Sequence, residues 1–331
     1  MKPAGLGEMG FLRAMGLFDR PVRRGWVGPG DDAAVMPPSE TSIVFSADIL
    51  AEGVHFRIST STPEDVGYKS LAVNVSDIAA MGAKPVAATV SLVVPETPDV
   101  EWFKRFYDGL ALAEHAYGCP VVGGDLSTGV QLVVSVSILG ECGRRGPVLR
   151  SGAEPGEGLY LTGETGLSAA GLKFLENPGL TALAVPELLK RHLRPEPRLA
   201  FAREASRRGH ISAMVDVSDG VAIDAGHLAE QSGVGIEIDS RLVPVAEVLA
   251  RGADVLGVDP LLLALSGGED YELLFTAAAA SEDELFTAAG KTGVKLTKIG
   301  CVKSGEGITF LGPDGEPWVP PVRGYDHFRG P

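Results

Sequence analysis

The chain has 331 residues, of which 45% are hydrophobic and 22% charged, and its formal net charge is −14. The length predicts two domains of roughly 100 to 200 residues each, and the composition is that of a globular protein with a large core. The acidic balance argues against a broad phosphate-binding surface, so we expect no nucleic acid partner.

The sequence also lacks the usual signals for export or membrane insertion. The opening residues MKPAGLGEMGFLRAMG show no basic segment followed by an apolar run and a cleavage site, so we expect no secretory signal. No stretch reaches about 18 uninterrupted apolar residues, and we expect no membrane span. Cys119, Cys142 and Cys301 are far apart and form no C-x-x-C pair. This usage is typical of inert thiols in a reducing cytoplasm, where we place the protein.

The first half alternates strand and helix patterns. Ile43 to Asp48 combines β-branched and aromatic residues with an acidic end, which predicts a strand that delivers Asp48 into a loop. A helix follows, with Thr62 as its N-cap, Pro63 as its first residue and Gly82 as its stop. The remaining predicted elements are a strand over 85–95, a helix over 101–118, a short buried strand over 119–122 that runs into Gly123, Gly124 and Asp125, and a strand over 131–141.

A segment rich in Gly, Pro and Arg, CGRRGPVLRSGAEPGEG, separates the two halves. We therefore predict domains over 1–145 and 146–331. The second half is predicted to contain a strand over 158–163, helices over 167–177 and 197–209, a strand with acids at its end over 212–220, a helix over 221–233, a strand over 234–239, and a helix, glycine turn and strand over 261–277. Pattern alone does not separate hairpin strands from crossover strands, so the fold class is α/β or α+β.

Acidic residues recur where these predicted elements end, and most of them lie beside Gly or Ser. They are Asp31 and Asp32, Asp48, Asp77, Asp125, Asp216 and Asp219, and Glu269 with Asp270. Any one of these clusters also fits an ordinary turn. Recurrence over both halves favours a shared task, because carboxylates are hard oxygen donors that suit Mg²⁺ or Ca²⁺. Several metals that bridge a polyphosphate would use scattered single acids of this kind. The pattern therefore indicates phosphoryl transfer.

Other phosphate-binding and catalytic signatures do not occur in the sequence. Gly290, Lys291 and Thr292 resemble the end of a P-loop, but the required glycine five positions earlier is Leu285. There is no kinase H-R-D or D-F-G set, no G-x-S-x-G elbow and no H-E-x-x-H. The six histidines are dispersed, so we expect no metal site built from histidines.

Taken together, the motifs resemble those of the thiamine-monophosphate kinase family. They are GDDAAV, SADILAEGVHF, YKSLAVNVSDIAAMGAKP, GGD, LRSGAEPGEGLYLTG, KRHLRPEPR, DVSDG, LSGGEDYELLFT and GYDHF, in this order. The resemblance implies a two-domain fold like that of aminoimidazole-ribonucleotide synthetase, with an N-terminal sheet that pairs across a homodimer and a C-terminal α/β domain. It also implies phosphorylation of thiamine monophosphate to thiamine diphosphate, with ATP as co-substrate and Mg²⁺ as cofactor.

The resemblance also implies roles for residues at the matching positions. Metal ligands would be Asp32, Ser46, Ala47 through its backbone, Asp48, Asp77, Asp125, Asp216 and Asp219, with Asp31 assisting. Nucleotide contacts would be Gly124, Arg150, Ser218 and Tyr107. Substrate contacts would be His55, Glu269 and Tyr325, whose ring could stack on thiamine. No catalytic nucleophile is implied, because metal and charge stabilisation would carry the reaction.

Ordinary structural interpretations and two other functions stay open. His55 could simply pack beside Phe56, Arg150 could be a linker charge, and Tyr325 could pin the tail to the core. Another ATP-dependent synthetase of the same superfamily, as in the purine pathway, is one alternative, which GVHF and GYDHF disfavour. A noncatalytic metal-binding protein is the other, and it predicts metal uptake without ADP formation.

Overall fold

The described residues form two compact units, each with its own sheet. The structure is a computed structural model, and it describes residues 13–16, 40–208 and 210–321. Of these, 40–78 and 84–142 cluster in the first unit, whereas 79–83 and 143–321 cluster in the second. None of the helices within these ranges has the length and apolar character that a bilayer crossing requires.

The first unit contains a four-stranded sheet and two long helices. Its elements are β1 (Ile43–Ala51), α1 (Pro63–Ala80), β2 (Lys84–Val94), α2 (Val100–Tyr117), β3 (Val121–Thr128) and β4 (Val133–Glu141). The strand order is β1-β4-β2-β3, in which β4 pairs antiparallel with both of its neighbours and β2 pairs parallel with β3. The predicted starts of the helices and strands in this half are confirmed to within a few residues.

Local hydrogen bonds explain the start of α1. The Thr62 hydroxyl accepts from the Asp65 N–H at 3.2 Å, and the Asp65 carboxylate accepts from the Thr62 N–H at 3.3 Å. This reciprocal cap satisfies two N–H groups that the first helical turn leaves without intrahelical partners. At the other end, Gly82 adopts a φ of 65° just after the last helical residue, which a glycine allows without steric cost.

Two predictions about strand ends in this unit are wrong. Asp48 does not enter a loop, because β1 continues to Ala51 and Asp48 pairs with Val136 of β4. Gly124 and Asp125 do not follow a strand either, since they lie within β3 and pair with β2. In both places hydrogen bonding to a neighbouring strand extends the element past the point at which local composition suggests a turn.

The second unit contains a seven-stranded mixed sheet flanked by helices. Its elements are β5 (Gly158–Thr162), α3 (Leu167–Glu176), α4 (Pro178–Thr181), α5 (Pro186–Leu193), α6 (Leu199–Arg208), β6 (Ala213–Asp216), α7 (Val221–Ser232), β7 (Gly235–Asp239), α8 (Glu247–Leu256), α9 (Pro260–Ser266), β8 (Leu273–Ala277), α10 (Glu282–Thr292), β9 (Leu296–Lys303), β10 (Gly307–Leu311) and β11 (Pro317–Trp318). The strand order is β11-β10-β7-β9-β5-β8-β6, with β7 and β10 parallel and the other neighbours antiparallel.

The central strands of this sheet are apolar and buried. All five residues of β5 and all five of β8 are buried, as expected for strands covered on both faces. Aromatic rings fill one side of the sheet, where Tyr160 stacks on Phe275 with ring centroids 5.5 Å apart and Phe201 packs against the same ring. The prediction that α7 ends at Gly233 is confirmed, because Gly233 caps the helix in the left-handed conformation.

Candidate functional site

Strand β1 and helix α1 bring two predicted metal ligands together in the first unit. The Ser46 hydroxyl donates to Oδ2 of Asp77, and the Asp48 N–H donates to Oδ1 of Asn74 at 3.0 Å. Asn74 and Asp77 lie three residues apart on α1 and therefore share the face that meets β1. Ala47 lies between Ser46 and Asp48 with its side chain on the opposite, exposed side of the strand.

The electrostatics of this pair suit a divalent cation. Burial, and then the nearby negative charge of Asp77, raise the pKa of Asp48 to about 7. Two facing carboxylates with a neighbouring hydroxyl form a set of hard oxygen donors whose mutual repulsion a positive ion relieves. The donor set is therefore suited to Mg²⁺, and Asp48 and Asp77 would be the residues that hold it.

Polar residues around this pair are buried rather than solvated. Lys69 and Asn74 are 3% and 1% exposed, so they do not face solvent as helix-surface residues would. The Lys69 ammonium donates to the His55 carbonyl at 3.4 Å. The His55 ring accepts from the Ala51 N–H through Nδ1 at 3.1 Å, so the neutral ring carries its proton on Nε2. This contact fixes the ring beside the end of β1.

Asp125 lies apart from Asp48 within the first unit. β1 and β3 are at opposite ends of the strand order, with β4 and β2 between them. Three strand spacings amount to roughly 14 Å, which is too far for both carboxylates to bind one ion. Gly124 also has a purely structural reason to be glycine, because a Cβ there would lie 1.8 Å from the Val90 carbonyl oxygen.

Tyr107 occupies a packing position. It is 7% exposed on the buried face of α2, and its ring contacts Phe106 edge to face at 5.3 Å between centroids. This burial favours a packing role for Tyr107, and its expected contact with the nucleotide base stays a prediction. Phe103, Phe106 and Tyr107 are spaced so that they share the buried face of α2.

In the second unit, the predicted acids follow β6 as expected. Asp216 ends the strand and is 4% exposed, and Ser218 and Asp219 occupy the turn before α7. Asp224, in the first part of α7, accepts from the backbone N–H groups of Asp219 at 3.2 Å and Gly220 at 3.1 Å. Burial, followed by the charges of Asp216 and Asp219, raises the pKa of Asp224 well above its usual range.

The sequence analysis missed Asp224 and His227 as members of this group. One ligand atom from each of Asp219, Asp224 and His227 lies within 4.8 Å of the others, so the three could contact a common ion. His227 is the one histidine of this group, so the expectation of no metal site built from histidines stays a prediction. The available signal was the spacing of Asp224 and His227, which are three residues apart and so share one face of α7.

The predicted glycine turn between α9 and β8 presents Glu269. Glu269 and Tyr271 have positive φ angles of 63° and 54°, an uncommon backbone conformation for non-glycine residues. One carboxylate oxygen of Glu269 lies 3.4 Å from Nδ1 of the buried His192. The neighbouring Asp270 accepts from the Ser168 N–H at 2.9 Å, and burial raises the Asp270 pKa to about 7.

The other predicted contacts are exposed or lie outside the described residues. Arg150 is an exposed residue whose carbonyl accepts from the Ser232 hydroxyl at 3.0 Å. The predictions for Asp31, Asp32 and Tyr325 fall outside the described ranges. A cavity of about 540 Å³ also lies in the second unit against α7, but Trp318 and other uncharged residues line it. It therefore offers no side-chain charge to a phosphate.

Family models match both units in chain order. The chain matches the AIR synthase related protein, N-terminal domain, over residues 30–142. It matches the AIR synthase related protein, C-terminal domain, over residues 154–312. With a four-stranded sheet in the first unit and a seven-stranded mixed sheet in the second, these matches define a two-domain α/β protein of the AIR synthase-related class.

Named relatives show to which family of this class the chain belongs. The chain is 40% identical over 309 residues to the thiamine-monophosphate kinase of Escherichia coli (strain K12), a match covering 92% of this chain and 93% of that one. The chain belongs to the thiamine-monophosphate kinase family. The enzyme from Stenotrophomonas maltophilia K279a has a similar crystal structure, with 36% identity, a TM-score of 0.80 and coverage of 92% and 95%. AaThiL complexed with AMPPCP and TMP is also similar, with 36% identity, a TM-score of 0.76 and 99% of each chain covered.

Proposed function

We propose that this protein transfers the γ-phosphoryl group of ATP to thiamine monophosphate, giving thiamine diphosphate and ADP. Membership of the thiamine-monophosphate kinase family supports the reaction, and the similar AaThiL structure complexed with AMPPCP and TMP supports both substrates. The observation in this chain that carries the proposal is the facing pair of Asp48 and Asp77. Two carboxylates that face each other suit a reaction between two anions when cations neutralise the negative charges of both the site and the reactants.

The residues of the chain would act by binding and orienting rather than by covalent attack. We propose that the chain holds several Mg²⁺ ions. In the first unit Asp48 and Asp77, with Ser46, the Ala47 backbone, Asp32 and Asp125, would supply ligands, and in the second unit Asp216 and Asp219 would do so. When bound, Mg²⁺ neutralises the charge of the phosphate groups. The acceptor is a phosphate oxygen that is already ionised near neutral pH, so the reaction needs no protein base or nucleophile. The chain would hold this oxygen in line with the γ-phosphorus.

Substrate-contacting residues complete the proposal. Gly124, Arg150 and Ser218 would contact the nucleotide, and His55, Glu269 and Tyr325 would contact thiamine monophosphate. The contact that fixes the His55 ring supports a role in substrate binding, since it orders the ring before the substrate arrives. The exposure of Arg150 leaves its guanidinium accessible to an anion.

We further propose a cytoplasmic homodimer whose N-terminal sheets pair across the subunit boundary, with domains over 1–145 and 146–331. Support comes from the outward side of β1, where Ile43, Phe45 and Ile49 are 49%, 69% and 54% exposed. Three large apolar side chains in a row on one strand face form a patch that a second subunit would cover.

The test mixes purified protein, Mg²⁺, ATP and thiamine monophosphate, and follows thiamine diphosphate and ADP. Both products should form in equal amounts, and a purine-pathway substrate should not replace thiamine monophosphate. Asp48→Asn, Asp77→Asn and Asp216→Asn should each remove most of the activity while circular dichroism stays unchanged. Absence of both products at saturating Mg²⁺ would reject the kinase assignment, and metal uptake without ADP would favour a noncatalytic metal-binding protein.

A further inference from the structure

The loop joining α9 to β8, residues 267–272, is held in its uncommon conformation by backbone hydrogen bonds. The Glu269 N–H donates to the Ser218 carbonyl at 2.8 Å, and the Tyr271 N–H donates to the Val217 carbonyl at 2.9 Å. Both donors belong to the residues with positive φ. Such backbone conformations persist where the surroundings over-determine them, and they cluster at functional sites. The loop is thus fixed directly against the turn that carries Ser218.

Two of the three acids in this loop are anchors. Asp270 is 6% exposed and accepts from the N–H groups of Gly166 and Ser168 at the start of α3, where the helix dipole favours negative charge. Glu272 is 1% exposed, accepts from Nε and Nη2 of Arg198, and accepts from the Thr162 hydroxyl at 2.7 Å. These buried contacts explain how the loop is held.

Glu269 differs from these anchors in exposure and in partner. Its side chain is 24% exposed, and one of its partners is His192 on α5, whose side chain is 5% exposed. Nδ1 of His192 lies 3.4 Å from Oε2 of Glu269 and 3.1 Å from Oγ of Ser168. In a neutral imidazole with its proton on Nδ1, this N–H is shared between the Ser168 hydroxyl oxygen at 3.1 Å and the Glu269 carboxylate at 3.4 Å, so the ring lies between the two residues.

We propose that His192 is a positioning residue that aims the Glu269 carboxylate at the positively charged ring of thiamine monophosphate. This inference rests on the proposed function, in which Glu269 contacts that substrate. A carboxylate repels phosphate groups, so the part of thiamine monophosphate that it attracts is the cationic thiazolium. A carboxylate fixed before binding loses less side-chain freedom when the substrate arrives, which strengthens binding. His192 acts through Glu269 and touches no reacting atom.

The first experiment separates the Michaelis constants of the two substrates. His192→Leu should raise KM for thiamine monophosphate roughly tenfold, the effect of one lost hydrogen bond to a charged group, and leave KM for ATP unchanged. His192→Asn places an N–H near the position of Nδ1 and should return KM to within about threefold of wild type. His210→Leu is the matched control, because His210 pairs with Glu284 through Nε2 at 2.7 Å away from this loop. It should change neither constant.

The second experiment tests whether His192 acts through Glu269. Glu269→Gln alone should raise KM for thiamine monophosphate, and adding His192→Leu to it should have less than a twofold further effect. If the two substitutions raise KM for thiamine monophosphate independently, so that their effects multiply in the double variant, the proposal is overturned. An equal rise in both Michaelis constants for His192→Leu would also overturn it. If His192→Leu does not fold, His192→Gln replaces it, because its amide reaches the position of Nε2 instead. A wild-type protein that makes no thiamine diphosphate would refute the proposed function, whereas an active wild type with an unchanged His192→Leu constant would refute only this inference.

Discussion

Replacing Asp48 with Asn should stabilise the metal-free protein and remove its response to Mg²⁺. In the folded chain the pKa of Asp48 lies at about 7 against an ordinary 3.8, because the carboxyl is partly buried and faces Asp77. Holding this carboxylate ionised at pH 8 costs up to about 4 kcal/mol, at 1.36 kcal/mol for each pKa unit. Solvent that reaches the partly exposed site screens some of this cost, so we expect the variant to gain about 2 kcal/mol.

Urea denaturation at pH 8, with chelator and then with Mg²⁺, measures this effect. A folded pKa above the unfolded one means that the contribution to stability is present below pH 3.8 and is lost as pH rises through about 7. The difference between variant and wild type should therefore vanish near pH 4 and be full at pH 8. Mg²⁺ at 100 times its Kd should stabilise only the wild type, by about 2.7 kcal/mol.

The control for this experiment is Asp108→Asn, which changes an exposed acid of α2 and should alter neither quantity. The reasoning fails if Asp48→Asn is no more stable than wild type in chelator at pH 8, since the carboxylates would then not repel each other in the fold. It also fails if Mg²⁺ stabilises both proteins equally, because the ion would then bind elsewhere.

Three further changes test other parts of the structure. Asp270→Asn should lower the free energy of unfolding by about 2 kcal/mol in urea, because its amide faces backbone N–H groups, and the loss should shrink as pH rises toward about 7 and the wild-type carboxyl gives up its proton. Gly124→Ala should lower Tm, since the new Cβ would lie 1.8 Å from a carbonyl oxygen of β2, whereas Gly143→Ala, with open space around it, should not. Phe45→Asp should shift the protein from dimer to monomer in light scattering, while the equally polar change Val130→Asp on an exposed turn should leave the dimer intact. A monomeric wild type would contradict the dimer proposal.

Local chemistry made much of the fold predictable. The cap at Thr62, the glycine stops at Gly82 and Gly233, and the acids after β6 all depend on a few consecutive residues, and the structure confirms each of them. The predicted end of β1 was wrong because the last residues of this strand are held by pairing with β4, about 85 positions further along the chain. Such pairing leaves little trace in the composition of the strand itself.

The spatial grouping of the candidate site was harder to predict, since it depends on strand order. Asp48 and Asp77 meet because α1 packs with its Asn74 face against β1, whereas Asp125 lies on the far strand of the same sheet. Sequence spacing carries no information on which strands are neighbours. Asp224 was missed because an acid in the first part of a helix is common for reasons unrelated to a ligand.

Glu269 has a left-handed backbone conformation, and its side chain lies in different surroundings from that of the next residue, Asp270. Glu269 and Asp270 share a peptide bond, yet Asp270 is sealed against a helix start and Glu269 remains partly open to solvent. The Asp270 carboxylate faces the start of α3, whereas the Glu269 carboxylate faces His192 of α5. A glycine at position 269 would accept the same φ but would also allow many others, so the glutamate narrows the conformations open to the unfolded loop. Neighbouring carboxylates in a sequence can therefore mark a change of environment as readily as a shared ion.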